Sequence, residues 1–144
     1  MTVSPSRDPG VYVVWLHLPH TCTISVGALG CITLPSGHYL YVGSAKGGLR
    51  GRVERYLKPV ARKFWHIDYL RAYAKVRAIW LRRGRNLSEC LLTERLLALP
   101  GFKKGPPAFG SSDCRCRTHL LYSPASPLLR LETAALFDAR LQAF

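Results

Sequence analysis

Arg52 and Tyr56 stand four residues apart in a segment where Leu49, Val53, Tyr56 and Leu57 follow the spacing of a short helix, so their side chains share one face. An arginine fork suits phosphate oxygens and can stabilise charge developing on them, and a tyrosine hydroxyl can position or deprotonate a water. Two further tyrosines lie on apolar runs upstream, Tyr12 in GVYVVWLHL and Tyr41 in GHYLYVGSAKGGLRGR. The second run breaks into glycines and then into arginines, which poses a choice. Lys46, Gly47 and Gly48 can offer a phosphate an ammonium and unpaired backbone N–H groups, or the glycines can serve only to turn the chain. Downstream, Glu89 and Glu94 supply carboxylates. One carboxylate holding a hard cation, with waters completing the octahedron, is a common build for a magnesium site that also takes substrate phosphate. The chemistry open to such a set is displacement at a phosphodiester. It needs an in-line nucleophile, charge neutralisation on the phosphoryl oxygens and help for the leaving oxygen.

The two glutamates cannot both serve one small site, because residues five apart point about 140° apart around a helix. Glu89 lies three residues after Asn86, where it can help close the helix start, with Asn86 or Ser88 as the cap. Glu94 lies mid-helix in LLTERLL, where a carboxylate among leucines needs a partner or a metal, so Glu94 is the expected metal ligand. Arg50 and Arg55 are rivals to Arg52 for a phosphate, and Lys58, Arg62 and Lys63 extend the basic surface. His66 and Asp68 are two residues apart and do not face each other. His66 offers a proton shuttle or a phosphate contact, and Asp68 a helix cap or an arginine partner. Cys114, Cys116 and His119, joined by Cys90, could supply a four-ligand zinc set, although this is not a usual knuckle spacing. The competing reading has small thiols packing near a strand, His119 in a hydrogen-bond network, and Ser111, Ser112, Asp113 or His119 close to the site.

The elements that must position these groups can be read from periodicity. Val11 to Leu18 predicts a buried strand, Thr21 to Leu34 an inserted strand pair broken by Gly27 and Gly30, and Tyr39 to Gly43 a further strand. A short helix follows up to Pro59, then a helix over Phe64 to Ala74, a strand over Val76 to Leu81 and a helix from the Asn86 or Ser88 cap to Leu99. Phe102 to Asp113 reads as loop, Thr118 to Ser123 as a short strand, and the leucine spacing from Leu128 to Leu141 as a C-terminal helix. The fold class expected is α/β of the α+β type, a small mostly antiparallel sheet flanked by helices.

The 144 residues, 48% hydrophobic, suit one domain. Lysine and arginine number 21 against 8 acidic residues, a formal charge of +13 that is self-repulsive unless an anionic partner offsets it. Nucleic acid is the leading inference from that charge, with an acidic protein partner as the plain alternative. No run of about 18 uncharged apolar residues is present to suggest a membrane-spanning helix. MTVSPSRDPG lacks a secretory apolar segment, so cytoplasmic residence is expected. In that setting five cysteines imply reduced thiols or metal ligation rather than a disulfide framework.

Gly10-Val11-Tyr12 and Tyr41-Val42-Gly43, followed by an arginine on the next helix and an acid on a later one, resemble the GIY-YIG nuclease superfamily. The chain is most similar to its small Uri-like endonuclease branch, whose members are sometimes fused to endonuclease III. The likeness rests on YVGSA-x-GGL at Tyr41 to Leu49, WHID at Trp65 to Asp68, Glu89-Cys90 with a later Glu94, and Phe109 to Cys114. It spans roughly residues 10–123, leaving 1–9 as a short tail and 124–144 as a helical extension packed on the same domain. The resemblance implies a metal-dependent endonuclease hydrolysing phosphodiester bonds, with DNA favoured over RNA and no membrane partner. In it Tyr12 and Tyr41 orient or activate the attacking water, Arg52 stabilises the phosphate, Tyr56 and His66 assist, and Glu94 holds magnesium or manganese. Lys46, Gly47, Gly48, Arg50, Arg55, Lys58, Arg62 and Lys63 would contact the nucleic acid. The 29-residue separation of Tyr12 from Tyr41 departs from compact members and questions whether the two hydroxyls converge. The rival reading is a non-catalytic basic DNA- or RNA-binding module on the same fold.

Overall fold

The computed structural model describes residues 8–59, 63, 65–84, 87–107, 109 and 118–142. Along the chain run β1 (Gly10–Leu18), β2 (Cys22–Ser25), β3 (Cys31–Leu34), β4 (Gly37–Ala45), α1 (Leu49–Glu54), α2 (His66–Leu70), β5 (Lys75–Arg83), α3 (Glu89–Leu97), β6 (Lys103–Lys104), β7 (Leu120–Ser123), α4 (Leu128–Thr133) and β8 (Ala139–Gln142). Short 3₁₀ turns occupy Gly27–Leu29 and Arg55–Leu57. Six strands form one antiparallel sheet in the order β6-β7-β4-β1-β5-β8, and β2 with β3 forms a separate two-stranded sheet. The fold is therefore α+β, as the strand and helix periodicity predicts.

The central strand is apolar almost throughout because both of its faces are covered. Tyr12, Val14, Leu16 and Leu18 pack with Leu49 and Val53 of α1, Ile67 and Leu70 of α2, and Ile24 and Leu34 of the small sheet. Val11, Val13 and Trp15 pack on the opposite side with Leu92 and Leu96 of α3 and Leu131 of α4. Side chains alternate along a strand, so an unbroken apolar run fills two cores at once.

The insertion between the two tyrosine motifs leaves their pairing intact. β1 and β4 stay in continuous register from Gly10 opposite Ala45 to Leu18 opposite Gly37, with Tyr12 opposite Gly43 and Val14 opposite Tyr41. The inserted β2–β3 hairpin adds Ile24, Val26 and Leu34 to the core beneath Leu16 and Leu18 instead of displacing a strand. Tyr12 and Tyr41 consequently face the same side of the sheet, toward α1 and α2.

Two expected helices are corrected. The C-terminal helix stops at Thr133, Ala135 takes a left-handed φ of 55°, and the chain returns as β8 on β5. The open edge of β5 accounts for this: its backbone groups need partners, and the Asp138 N–H donates to the Leu81 carbonyl to start the pairing. The segment read as a helical extension thus closes one edge of the main sheet. The second helix covers only His66–Leu70 within its expected Phe64–Ala74 span, of which Phe64 lies outside the described residues.

Gly10 is required by close approach. A Cβ there would be driven into the Arg82 carbonyl oxygen of β5 and against the Leu49 side chain, whereas one on Gly47 would meet nothing within 4 Å. We expect Gly10→Ala to destabilise the fold by about 1–3 kcal/mol, as overpacking against backbone does. Gly47→Ala should shift the urea midpoint far less, and equal shifts would remove this account of the first motif.

Candidate active site

A cleft of about 760 Å³ opens at the end of the sheet where β1 begins and β4 finishes. Its lining includes Tyr12, Tyr41, Arg52, Trp65 and His66, together with Ser44, Lys46, Glu89 and His119. The small residues of the two motifs shape it. The Tyr12 phenol lies across Gly43, where any Cβ would collide with the ring, so the second motif's glycine is the seat of the first motif's tyrosine.

That placement brings the Tyr12 hydroxyl to 2.9 Å from the Tyr56 hydroxyl, with the rings edge-on at 5.5 Å between centroids. All three cleft-side phenols resist ionisation. Burial raises Tyr12 well above its ordinary value, and the nearby Tyr56 and Tyr41 reinforce the shift. Burial also raises Tyr41, with Tyr56 and Glu89 adding to it. Tyr56 is raised by burial despite the opposing pull of the Tyr12 hydrogen bond and the Arg55 charge. At neutral pH these groups are hydroxyls that donate and accept, not tyrosinate bases.

The arginines sort themselves by partner. Arg50 pairs with Glu54 at 3.1 Å on the outer surface of α1. Arg55 forks onto both oxygens of the fully buried Asp68 at 2.8 and 3.0 Å. Asp68 also accepts the Trp65 N–H at 3.0 Å, so it fills both expected roles, helix cap and arginine partner. Arg71 donates to the carbonyls of Tyr56 and Lys58. Arg52 is left in the cleft, its guanidinium 4.5 Å from the centre of the Trp65 indole, and among the described residues no carboxylate pairs with it.

The choice between the glutamates is reversed. Glu94 lies on the exposed face of α3, away from the cleft, and Glu89 lines it. Ser88 caps the helix by accepting from Leu91 N–H, which makes Glu89 its first residue. Glu89 then shares a stripe with the buried Leu92, Thr93 and Leu96, the i, i+3, i+4, i+7 face, while Glu94 falls beside exposed Leu91 and Arg95. The Ser44 hydroxyl donates to Glu89 Oε1 at 2.5 Å, and His119 Nδ1 lies 3.2 Å from Oε2. Burial pushes the Glu89 carboxyl up, but the His119 and Ser44 contacts and the charges of His119 and Lys46 outweigh it and hold the pKa below the ordinary value. Glu89 is a fixed, ionised carboxylate lining the same cleft as Arg52.

Residues 11–141 match the model of a family described as domain of unknown function DUF123. The chain belongs to the DUF123 family. No curated protein and no solved structure matches it.

Other expected site residues of this DUF123 chain are distributed as follows. His66 lines the cleft edge-on to Phe109 at 5.6 Å, and Lys46 and Gly47 line it as well. Gly48 is the buried N-cap of α1 at φ 121°, a turning residue and not a cleft wall. Lys58 is exposed off the cleft, and the Lys63 ammonium sits 5.4 Å from the Tyr69 ring. Arg62, Asn86, Ser111, Ser112, Asp113, Cys114 and Cys116 lie outside the described residues. Of the zinc set, His119 Nε2 is 3.6 Å from Cys90 Sγ, but Cys90 is disulfide-bonded, contrary to the expectation of reduced thiols there. A sulfur in that state offers zinc no thiolate. Among the described residues no group of three or more His, Cys, Asp or Glu gathers as a metal cluster, which leaves a site with one protein carboxylate untouched. Ser44 and Trp65 join the cleft without having been singled out from the sequence as site residues.

The tyrosine shifts have a consequence for stability. A phenol whose folded pKa lies above its unfolded value of about 10 keeps its proton in the native state after the unfolded chain has lost it. Stability therefore falls as pH rises above about 10, by about 1.4 kcal/mol per pH unit for each such group until the native phenol ionises. We expect Tyr41→Phe to flatten that alkaline slope in denaturant melts between pH 9.5 and 11. An unchanged slope would show that Tyr41 titrates as an ordinary phenol.

Proposed function

We propose that this chain is a divalent-metal-dependent endonuclease of the GIY-YIG type, related to the Uri-like branch, which hydrolyses phosphodiester bonds with DNA as the favoured substrate. The observation that supports it most directly is Arg52. It is a cleft arginine with no carboxylate partner among the described residues, and it shares that cleft with Tyr41, an ionised Glu89 and Tyr12, whose hydroxyl is held by the buried Tyr56 behind it. Substrate phosphate would supply the missing anion, with Lys46 widening the positive field at the cleft mouth.

The donor set suits a hard cation. Glu89 offers charged oxygen, and Ser44 and His119 each fix one of its oxygens while leaving lone pairs toward the cleft. A magnesium or manganese ion held by Glu89 would supply charge neutralisation on the phosphoryl oxygen and a more acidic bound water. The chain's own residues do the rest. Arg52 holds the scissile phosphate, and Tyr12, Tyr41 and Tyr56, being protonated, orient the attacking water and donate to the oxygens around phosphorus. His66, which lines the cleft wall, would pass a proton to the leaving oxygen.

The test compares the two glutamates. We expect Glu89→Gln to lower magnesium-dependent cleavage of duplex, single-stranded or flapped DNA by about 100-fold or more while DNA affinity holds. Glu94→Gln should stay near wild type. Arg52→Ala should cost about 100- to 1,000-fold in kcat. Loss of activity with Glu94→Gln and none with Glu89→Gln would overturn the assignment, and DNA binding with no metal-dependent cleavage in the wild type would favour the non-catalytic module.

A further inference from the structure

We propose that Trp65 is the positioning residue of the Arg52 phosphate seat, locked in place by the buried Arg55–Asp68 clamp beside it. The inference rests on the endonuclease reading of the cleft and extends it to residues that touch neither metal nor reacting atoms. Two guanidiniums approach one indole: Arg52 at 4.5 Å and Arg55 at 4.1 Å from its ring centre. They differ in charge balance. Arg55 is neutralised by a two-pronged ion pair with Asp68, whereas Arg52 has no carboxylate partner among the described residues.

Asp68 ties the assembly together. It is fully buried, and it holds both the Arg55 fork and the Trp65 backbone N–H. The indole is thereby fixed in main chain and side chain by one carboxylate, and it lines the cleft wall next to Arg52. A solvent-facing arginine must surrender much rotamer freedom before it can grip a phosphate. Held over the indole at 4.5 Å, the Arg52 guanidinium has given up part of that freedom before substrate arrives. Coulombic attraction between cation and ring survives phosphate binding, so the stack persists as the substrate loads.

The test is a kinetic cycle on the full chain with a flapped or duplex DNA substrate and magnesium. Trp65→Leu should lower kcat about tenfold with little change in KM, the size expected for a partly desolvated cation–π contact. Trp65→Phe, which keeps an aromatic face, should recover most of that loss. In an Arg52→Ala background Trp65→Leu should cost nothing further. An equal loss in both backgrounds, or no recovery with phenylalanine while thermal melts match wild type, would reduce Trp65 to a packing residue.

A second measurement does not need cleavage. In EDTA, the Arg52 Nε–Hε resonance, displaced by the indole ring current, should move on addition of a thymidine dinucleotide. In Trp65→Leu its displacement should vanish and the dinucleotide response should weaken several-fold. A resonance unaffected by Trp65→Leu overturns the seat. If the wild type cleaves nothing with any divalent metal while this resonance behaves as expected, the endonuclease reading fails and the seat stands.

Discussion

The phenol of Tyr12 lying across Gly43 is the contact on which the cleft depends. It requires β1 and β4 to pair in one register, since a slip of one residue would put the two tyrosines on opposite faces of the sheet. It also requires glycine on the partner strand, because a side chain there would occupy the space of the ring. With both conditions met, the Tyr12 hydroxyl reaches Tyr56 on the 3₁₀ turn after α1. One strand pair and one helix are thus tied together by two aromatic rings, and the rest of the site is arranged around them.

Charge is distributed with the same economy. The chain has 8 acidic residues against 21 lysines and arginines, and the described carboxylates are concentrated where they hold structure. Asp68 clamps Arg55, Glu54 meets Arg50 on α1, Asp138 receives the Arg83 N–H, and Glu132 meets Arg140 where the last strand joins the sheet. Glu89 is the cleft carboxylate, and its contacts are a serine and a histidine. Arg52 and Lys46 both line the cleft, and among the described residues no carboxylate pairs with Arg52.

Much of this could be read from residue order. The strand pair and the inserted hairpin follow from period-two patterns together with the two short motifs, whereas the shared face of Tyr12 and Tyr41, which the long separation left in question, is fixed by the β1–β4 register. Residue order favoured Glu94 for the cleft because the leucines next to it in sequence were weighed rather than the stripe they form, and the structure puts Glu89 there instead. Leu92, Thr93 and Leu96 define the inward face, and counting back four from Thr93 reaches Glu89. Ser44 carried a similar signal, since it alternates with Val42 onto the face that α3 covers. The C-terminal strand carried none. ARLQ has no strong strand character, and it pairs because β5 has an open edge, a tertiary demand that overrides local preference.

The Arg55–Asp68 pair shows why the site cannot be understood from stability alone. Taking the fully buried Asp68 out of water costs several kcal/mol, only part of which the partly exposed Arg55 returns, and apolar replacements of such pairs often leave a protein as stable or more so. A clamp of this kind is a poor device for holding a helix against a core that already contains Tyr12, Leu49, Val53 and Ile67. It is a good device for direction, because a two-pronged arginine–carboxylate contact fixes both distance and plane. The plane it fixes is that of a guanidinium lying 4.1 Å from the centre of the Trp65 indole, and the same carboxylate anchors the indole's own backbone. Asp68 never reaches the cleft, yet the orientation of a cleft wall is set from it.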